Sequence, residues 1–229
     1  TTASAKTWSN QYQSTDNVTE SRFAESAIHV LRFRTAPSLS AFSWRKSISI
    51  DRTKIPSGCS NTLSNFSLLY KVTDLDLRAT ASAGDVFDPE GDDIIFVGRD
   101  DATCGGTNGS APCVLDHEIE SYNSTTGALL SCVRIPSLNT GLSSANTVIY
   151  VYYGSSVTNS STQNVAGVWN ANYAGVWHLK EATGTTVADS TANANNGTKL
   201  SASESAPIST GQINGAQDFD GVNDYVNSG

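Results

Sequence analysis

The chain has 229 residues, enough for one large domain or two small ones. Its hydrophobic share of 38% lies in short, spaced runs that suit thin two-layer β structure better than a thick helical core. The net charge of −8 is uneven: residues 1–50 carry six Lys/Arg against three Asp/Glu, and the remainder eight against nineteen. An acidic body argues against a nucleic-acid surface, and no run approaches the ~20 apolar residues of a membrane span.

In chain order, residues 1–43 form a distinct N-terminal arm. "SNQYQSTDNVTESRF" is polar and lacks a period, whereas "AIHVLRFR" alternates. His29, Leu31 and Phe33 fall on one side and Ile28, Val30, Arg32 and Arg34 on the other, the pattern of a strand. The arm is either a solvated basic segment or one that docks on the acidic body of another copy. From Trp44 the β signal is steady. "WRKSISID", "NFSLLYKV", "DDIIFVGR", "VLDHEIESY", "GALLSCVRIP" and "NTVIYVYYG" read as six strands, with a hairpin turn from Asn123 to Gly127. Short strands at this spacing predict an all-β, antiparallel, jelly-roll-like β-sandwich over residues 44–164. The texture changes near residue 165. "VAGVWNANYAGVWHL" is aromatic and "GAQDFDGVNDYV" reads as a strand after turns, so residues 165–229 are expected to be a partial second β unit. Methionine is absent, position 1 included, which leads to the expectation of a processed product or a fragment.

Cys59, Cys104, Cys113 and Cys132 allow three pairings. Cys104 and Cys113 bracket the flexible "CGGTNGSAPC", an easily closed loop, which leaves Cys132 for Cys59. None has C-x-x-C spacing, so zinc is not expected. Two disulfides imply an oxidising, extracellular compartment. N-x-S/T triplets at Asn17, Asn65, Asn108, Asn123, Asn159 and Asn196 are candidate glycosylation sites.

Read together, "WRKSISID", "LSNFSLLYKV", "GDDIIFV", "LDHEIESYNSTTGALLSCVRIPSL" and "NTVIYVYYG" resemble the DUF2341 family over about residues 44–154. Two positions depart from its pattern. Ser67 stands where the family usually has proline, and Cys132 where it usually has tryptophan, which suggests a disulfide in place of a bulky side chain. The following "VWNANYAGVWHLKE…GAQDFDGVNDYV" looks like the first part of a concanavalin A-like, laminin-G-type segment. The resemblance implies an extracellular module of microbial surface proteins, with adhesion, glycan binding or structural assembly as its roles.

Asp116, Glu118 and Glu120 share one face of a strand, their neighbours ~6.8 Å apart. Alternating acids of this kind occur in jelly-roll glycosidases, but no Trp-rich cleft signal accompanies them. A solvent-facing row, or one paired with Arg134 across the hairpin, is expected instead. The three histidines are far apart in sequence and read as structural. Asp218, Asp220, Asn223 and Asp224 supply dense hard oxygens and are candidate calcium ligands. Trp169, Tyr173 and Trp177, spaced by four, are candidate glycan-binding aromatics or packing residues at the junction. Tyr150, Tyr152 and Tyr153 are expected to reach solvent with their hydroxyls. The whole points to a non-catalytic extracellular structural or adhesive protein. Its partners are further copies, other surface proteins or glycans, and assembly into a filament by strand exchange is the concrete version. A glycan-binding adhesin is the alternative, and a glycoside hydrolase using Glu118 and Glu120 a lesser one.

Overall fold

The protein is described here by a computed structural model covering residues 39–55, 60–100, 102–106, 113–158, 160–201, 206–211 and 213–228. The expected strand "AIHVLRFR" and the sequons at Asn17, Asn108 and Asn159 lie outside these residues.

The all-β expectation holds, and the six runs from Trp44 onward all contain strands. They are β1 (Trp44–Ile50), β2 (Thr62–Thr73), β3 (Ile95–Gly98), β4 (Val114–Leu115), β5 (His117–Asn123), β6 (Ala128–Asn139) and β7 (Thr147–Tyr153). They form two antiparallel sheets, ordered β1-β7-β3-β4 and β2-β6-β5. Alternation decides which side chains meet between them. From the first sheet Phe96, Ile149, Val151 and Tyr153 are buried in the shared core; from the second come Leu129, Val133 and Ile135, with Leu68, Tyr70 and Val72 partly buried against them. Tyr153 is 2% exposed, so its hydroxyl does not reach solvent as the sequence suggested. The core takes its ring because it points inward with Val151.

"VLDHEIESY" is not one strand but two. Val114 and Leu115 pair with Val97 and Phe96 of the first sheet, and His117 onward pairs with β6 of the second. Asp116 is the corner where the chain changes sheets. Its carbonyl accepts from Arg134 N at 2.9 Å, and its carboxylate takes Arg134 Nε at 3.1 Å and Asn164 Nδ2 at 2.7 Å. The acidic turn "DPEGDD" has a structural use that composition did not reveal. Asp93 is fully buried and accepts N–H bonds from Phe87, Asp88, Gly154 and Ser155 at 2.9–3.1 Å, tying the approach to β3 to the exit from β7.

The side of the sandwich occupied by β1 and β2 is open at both edges, joined at one point where Lys46 Nζ meets Asp74 and Asp76 at 2.5 and 2.7 Å. Residues Leu39–Phe42 lie on the outer face of the first sheet, with Phe42 packed on Tyr152, Ile95 and Val97. The outer face of the second sheet is covered by the rest of the chain. A single turn of helix, α1 (Val165–Val168), is followed by β8 (Thr186–Val187), β9 (Gly197–Lys199), β10 (Ala206–Gly211), β11 (Asn214–Asp218) and β12 (Val226–Asn227). These short strands form the sheet β12-β9-β8 and the hairpin β10-β11, the partial β unit foreseen for residues 165–229.

The β5-β6 turn is closed by Gly127 N donating to Asn123 O at 2.9 Å, with Gly127 at φ +71°. A Cβ there would stand 1.8 Å from the Asp74 carbonyl oxygen. Gly127→Ala therefore meets both an unfavourable backbone region and a backbone atom that cannot yield. It is expected to cost at least ~2 kcal/mol, read as a lowered denaturant midpoint with an unchanged slope.

Candidate functional site

The chemistry gathers on the outer face of β5, where the acidic row meets residues 163–217. Glu120 is a bulge residue: Ile119 pairs with Ser131 and Ser121 with Leu130, which leaves Glu120 extra on its strand. The edge of β5 is sealed by the following chain. Asn164 N donates to His117 O at 3.1 Å, Ile119 N to Gln163 Oε1 at 2.6 Å, and Asn214 Nδ2 to Glu120 O at 2.7 Å.

Beneath this cover Glu118 and Glu120 are 4% and 5% exposed, so the expectation of a solvent-facing row is corrected for both. The face was read correctly from the spacing. What covers it comes from residues fifty and more positions later. Asp116 alone keeps the expected pairing with Arg134.

Glu118 Oε2 accepts from Trp169 Nε1 at 3.0 Å and lies 3.3 Å from His178 Nε2, while Oε1 accepts from Ser190 Oγ at 2.9 Å. Glu120 Oε2 accepts from Lys180 Nζ at 2.9 Å. Glu120 Oε1 lies 3.0 Å from His178 Nε2 without hydrogen-bond geometry, so that contact is an ion pair only. Lys180 also stands 3.9 Å from Glu118. Burial pushes His178 down, but the two carboxylates outweigh it and raise the imidazole to about 9. For Glu118, burial pushes upward, and His178, Trp169 and Ser190 more than offset it, so its pKa is lowered. Two carboxylates thus face an imidazolium and an ammonium in a cluster without net charge.

Ser190 is presented by a turn organised on Asp189. Its carboxylate takes N–H bonds from Val176, Thr191 and Asn195, all at 2.9 Å. Against the upward push of burial, these donors bring it to about 2. His178 and Lys180 flank Leu179, which sits at φ +56°. The sequence reading treated His178 as structural and passed over Lys180, Trp169's link to Glu118, and Ser190. The only signal was the alternation H-x-K opposite E-x-E, which has no meaning until the two segments are known to face each other.

The ligand atoms of Glu118, Glu120 and His178 lie within 4.8 Å of one another and could hold a metal ion. A dication there would have to displace the His178 proton and work against the Lys180 ammonium. Two carboxylates and an imidazole also suit a borderline ion better than calcium. Among the described residues, Asp218, Asp220 and Asp224 do not form such a convergent group. Asp220 is engaged within its own turn, accepting from Val222 N at 2.8 Å, while its N–H donates to Asp224 at 2.9 Å.

The candidate aromatics do not form a flat platform. Trp169 is turned in toward Glu118, Tyr173 stacks edge-on against it with centroids 5.3 Å apart, and Trp177 donates to Asn195 O at 2.8 Å. A groove of about 630 Å³ lies between the β2-β6 face and the Cys104–Cys113 loop. Its one cationic side chain, Arg134, is already bonded to Asp116 and Asn65.

Cys104 and Cys113 form a disulfide, as the loop suggested. Cys132 is a buried free thiol, and Cys59 lies outside the described residues. The side chain of Cys132 shares the outer face with Glu118. Burial, then the charges of Glu120 and Glu118, raise it to about 12, so it stays protonated and inert. No helix of the described residues is long and apolar enough to cross a membrane.

Family models, curated proteins and solved structures were compared with the chain, and none matches.

Two outcomes follow from this geometry. A group whose folded pKa is raised gives stability that is present below its unfolded value, ~6.5 for histidine, and lost as pH rises through the folded one. The seam should therefore weaken between about pH 6.5 and 9, by ~2–3 kcal/mol. Chemical denaturation of the parent should show this slope, and His178→Gln should abolish it. The sequons separate by access: Asn123 and Asn196 are exposed, whereas Asn65 is half-buried and its Oδ1 accepts from Arg134 at 2.9 Å. Expressed through a glycosylating secretory pathway, the chain should carry glycan at Asn123 and Asn196 and little at Asn65, as peptide mass mapping would report.

Proposed function

We propose that this chain is a non-catalytic structural module of an extracellular, microbial-surface assembly, built from copies of itself. The observation that carries the reading is the state of the acidic row. Both carboxylate oxygens of Glu118 are hydrogen-bonded, to Trp169, His178 and Ser190, while Glu120 is bonded through Oε2 to Lys180 and ion-paired through Oε1 with His178. Neither acid is left to deliver a proton or attack a substrate, because a general acid or nucleophile must reach a reacting atom. The row works as a seam that holds residues 165–217 on the sandwich.

Three further features support the reading. The Cys104–Cys113 bridge fits an oxidising compartment. Residues 44–154 resemble DUF2341 modules. Large apolar side chains at Leu200, Ile208, Ile213, Phe219, Val222 and Tyr225 are 38–83% exposed, an unusual concentration in one short stretch and one suited to contact with other protein.

Self-association is the property to measure. Light scattering coupled to size separation under non-reducing conditions should show the mass rising with concentration above the 24.1 kDa of one chain. A single 24.1 kDa species at every concentration would overturn the reading.

A further inference from the structure

We propose that residues 27–34 of one copy add as a strand to the open edge of β2 in a second copy. This rests on the self-associating reading above and names the two surfaces that carry it.

The acceptor is defined by backbone direction. Arg134 N donates to Asp116 O, so Arg134 turns its N–H and C=O toward β5. Its partner across β2, Ser67, must then point both groups away from β6. Alternation gives the same outward direction to Leu69 and Lys71. Among the described residues these backbone groups make no bond beyond the sheet. Phe66 and Leu69, on opposite faces beside this edge, are 41% and 43% exposed. The other edges of the two sandwich sheets are blunted. β4 has two residues, and β5 is sealed by Gln163, Asn164 and Asn214. β1 carries adjacent Arg45 and Lys46. A twelve-residue edge strand with little such protection is a template for another strand.

The donor is argued from pattern, charge and reach. "AIHVLRFR" alternates, so one face offers Leu31 and Phe33 to the apolar flank of β2 while Arg32 and Arg34 take the other. Its eight residues match the eight from Phe66 to Thr73. Residues 26–38 hold these two arginines and no Asp/Glu, whereas residues 39–229 carry ten Lys/Arg against nineteen Asp/Glu. The two arginines also count against β1, where Arg45 and Lys46 would repel them.

Reach favours a second copy over the chain's own β2. Leu39 and Phe42 are fixed on the outer face of the other sheet, over Ile95, Val97 and Tyr152. The five steps from Arg34 to Leu39 span at most ~17 Å. The path around β1 to the β2 edge crosses about two strand spacings and one sheet spacing, on the order of 20 Å before side chains are cleared. Donor and acceptor are different surfaces, so the contact is heterologous and propagates as a filament.

Two full-length variants test this by complementation. Ser67→Pro removes an outward N–H without breaking a bond to β6, at the loss of the 3.0 Å bond from Ser67 Oγ to Val168 O, and Leu31→Glu/Phe33→Glu spoils the donor while leaving the acceptor intact. Each alone should associate at least ~10-fold more weakly than the parent, with an unchanged circular dichroism spectrum. Mixed, they should give a 1:1 heterodimer that grows no further, because each supplies the surface the other lacks. Leu69→Pro serves as a second acceptor variant should Ser67→Pro misfold. Association of either variant as strong as the parent's, or a mixture that stays monomeric, would overturn the strand addition while leaving self-association standing. A parent that never associates would overturn both.

Discussion

The arrangement of this chain depends on one buried set of charges. Glu118, Glu120, His178 and Lys180 sit where the outer face of the second sheet meets the segment that follows the sandwich. Removing four charges from water is costly, and the cost is recovered only when each finds its partner. Here the charges balance, and Trp169 and Ser190 take further lone pairs of Glu118. Such a seam tolerates little sliding, since a shift of one residue would leave a carboxylate facing apolar atoms. The segment needs this fixing, because it has little core of its own. Among the described residues of 165–229 the fully buried apolar side chains are Val168 and Val187, while seven large ones lie exposed. Its order is borrowed from the sandwich through polar contacts, not generated by its own apolar burial.

The same contacts make the two sides of the sandwich unlike. On one side the chain crosses between sheets at Asp116, and residues 163–164 and Asn214 occupy the edge of β5. On the other side β1 and β2 end in open edges, linked by Lys46 with Asp74 and Asp76. Natural sheets blunt an exposed edge with charge, proline or shortness. At β4, β5 and β1 one of these devices, or direct cover, is present. At β2 only Lys71 serves. Ser67 keeps its outward N–H there, which leaves the edge receptive. The seam and the open edge are thus consequences of where residues 163–217 settle: they seal the edge of β5, while on β2 they meet Ser67 Oγ and Asn65 O and leave the outward backbone groups of Ser67, Leu69 and Lys71 open.

The strands were legible because each is a local pattern. "WRKSISID" alternates, and Lys46, Ile48 and Ile50 do share a half-buried face. The Asn123–Gly127 turn was legible for the same reason, since one glycine at positive φ closes it. The site was legible only by half. Spacing put Asp116, Glu118 and Glu120 on one face, and the pairing of Asp116 with Arg134 followed from the hairpin itself. Burial of the two glutamates did not, because it is imposed by His178, Lys180 and Ser190, and no local rule aligns those with β5. The bulge at Glu120 and the sheet switch inside "VLDHEIESY" were equally hidden, as both arise from how two sheets share one segment. Cys132 shows the same limit from the other direction. Counting cysteines made it half of a bridge, but its register places it opposite Glu118, facing the seam as a free thiol. A small side chain at that point leaves room for His178 and Lys180 to reach the carboxylates, so the cysteine is explained by what it leaves space for.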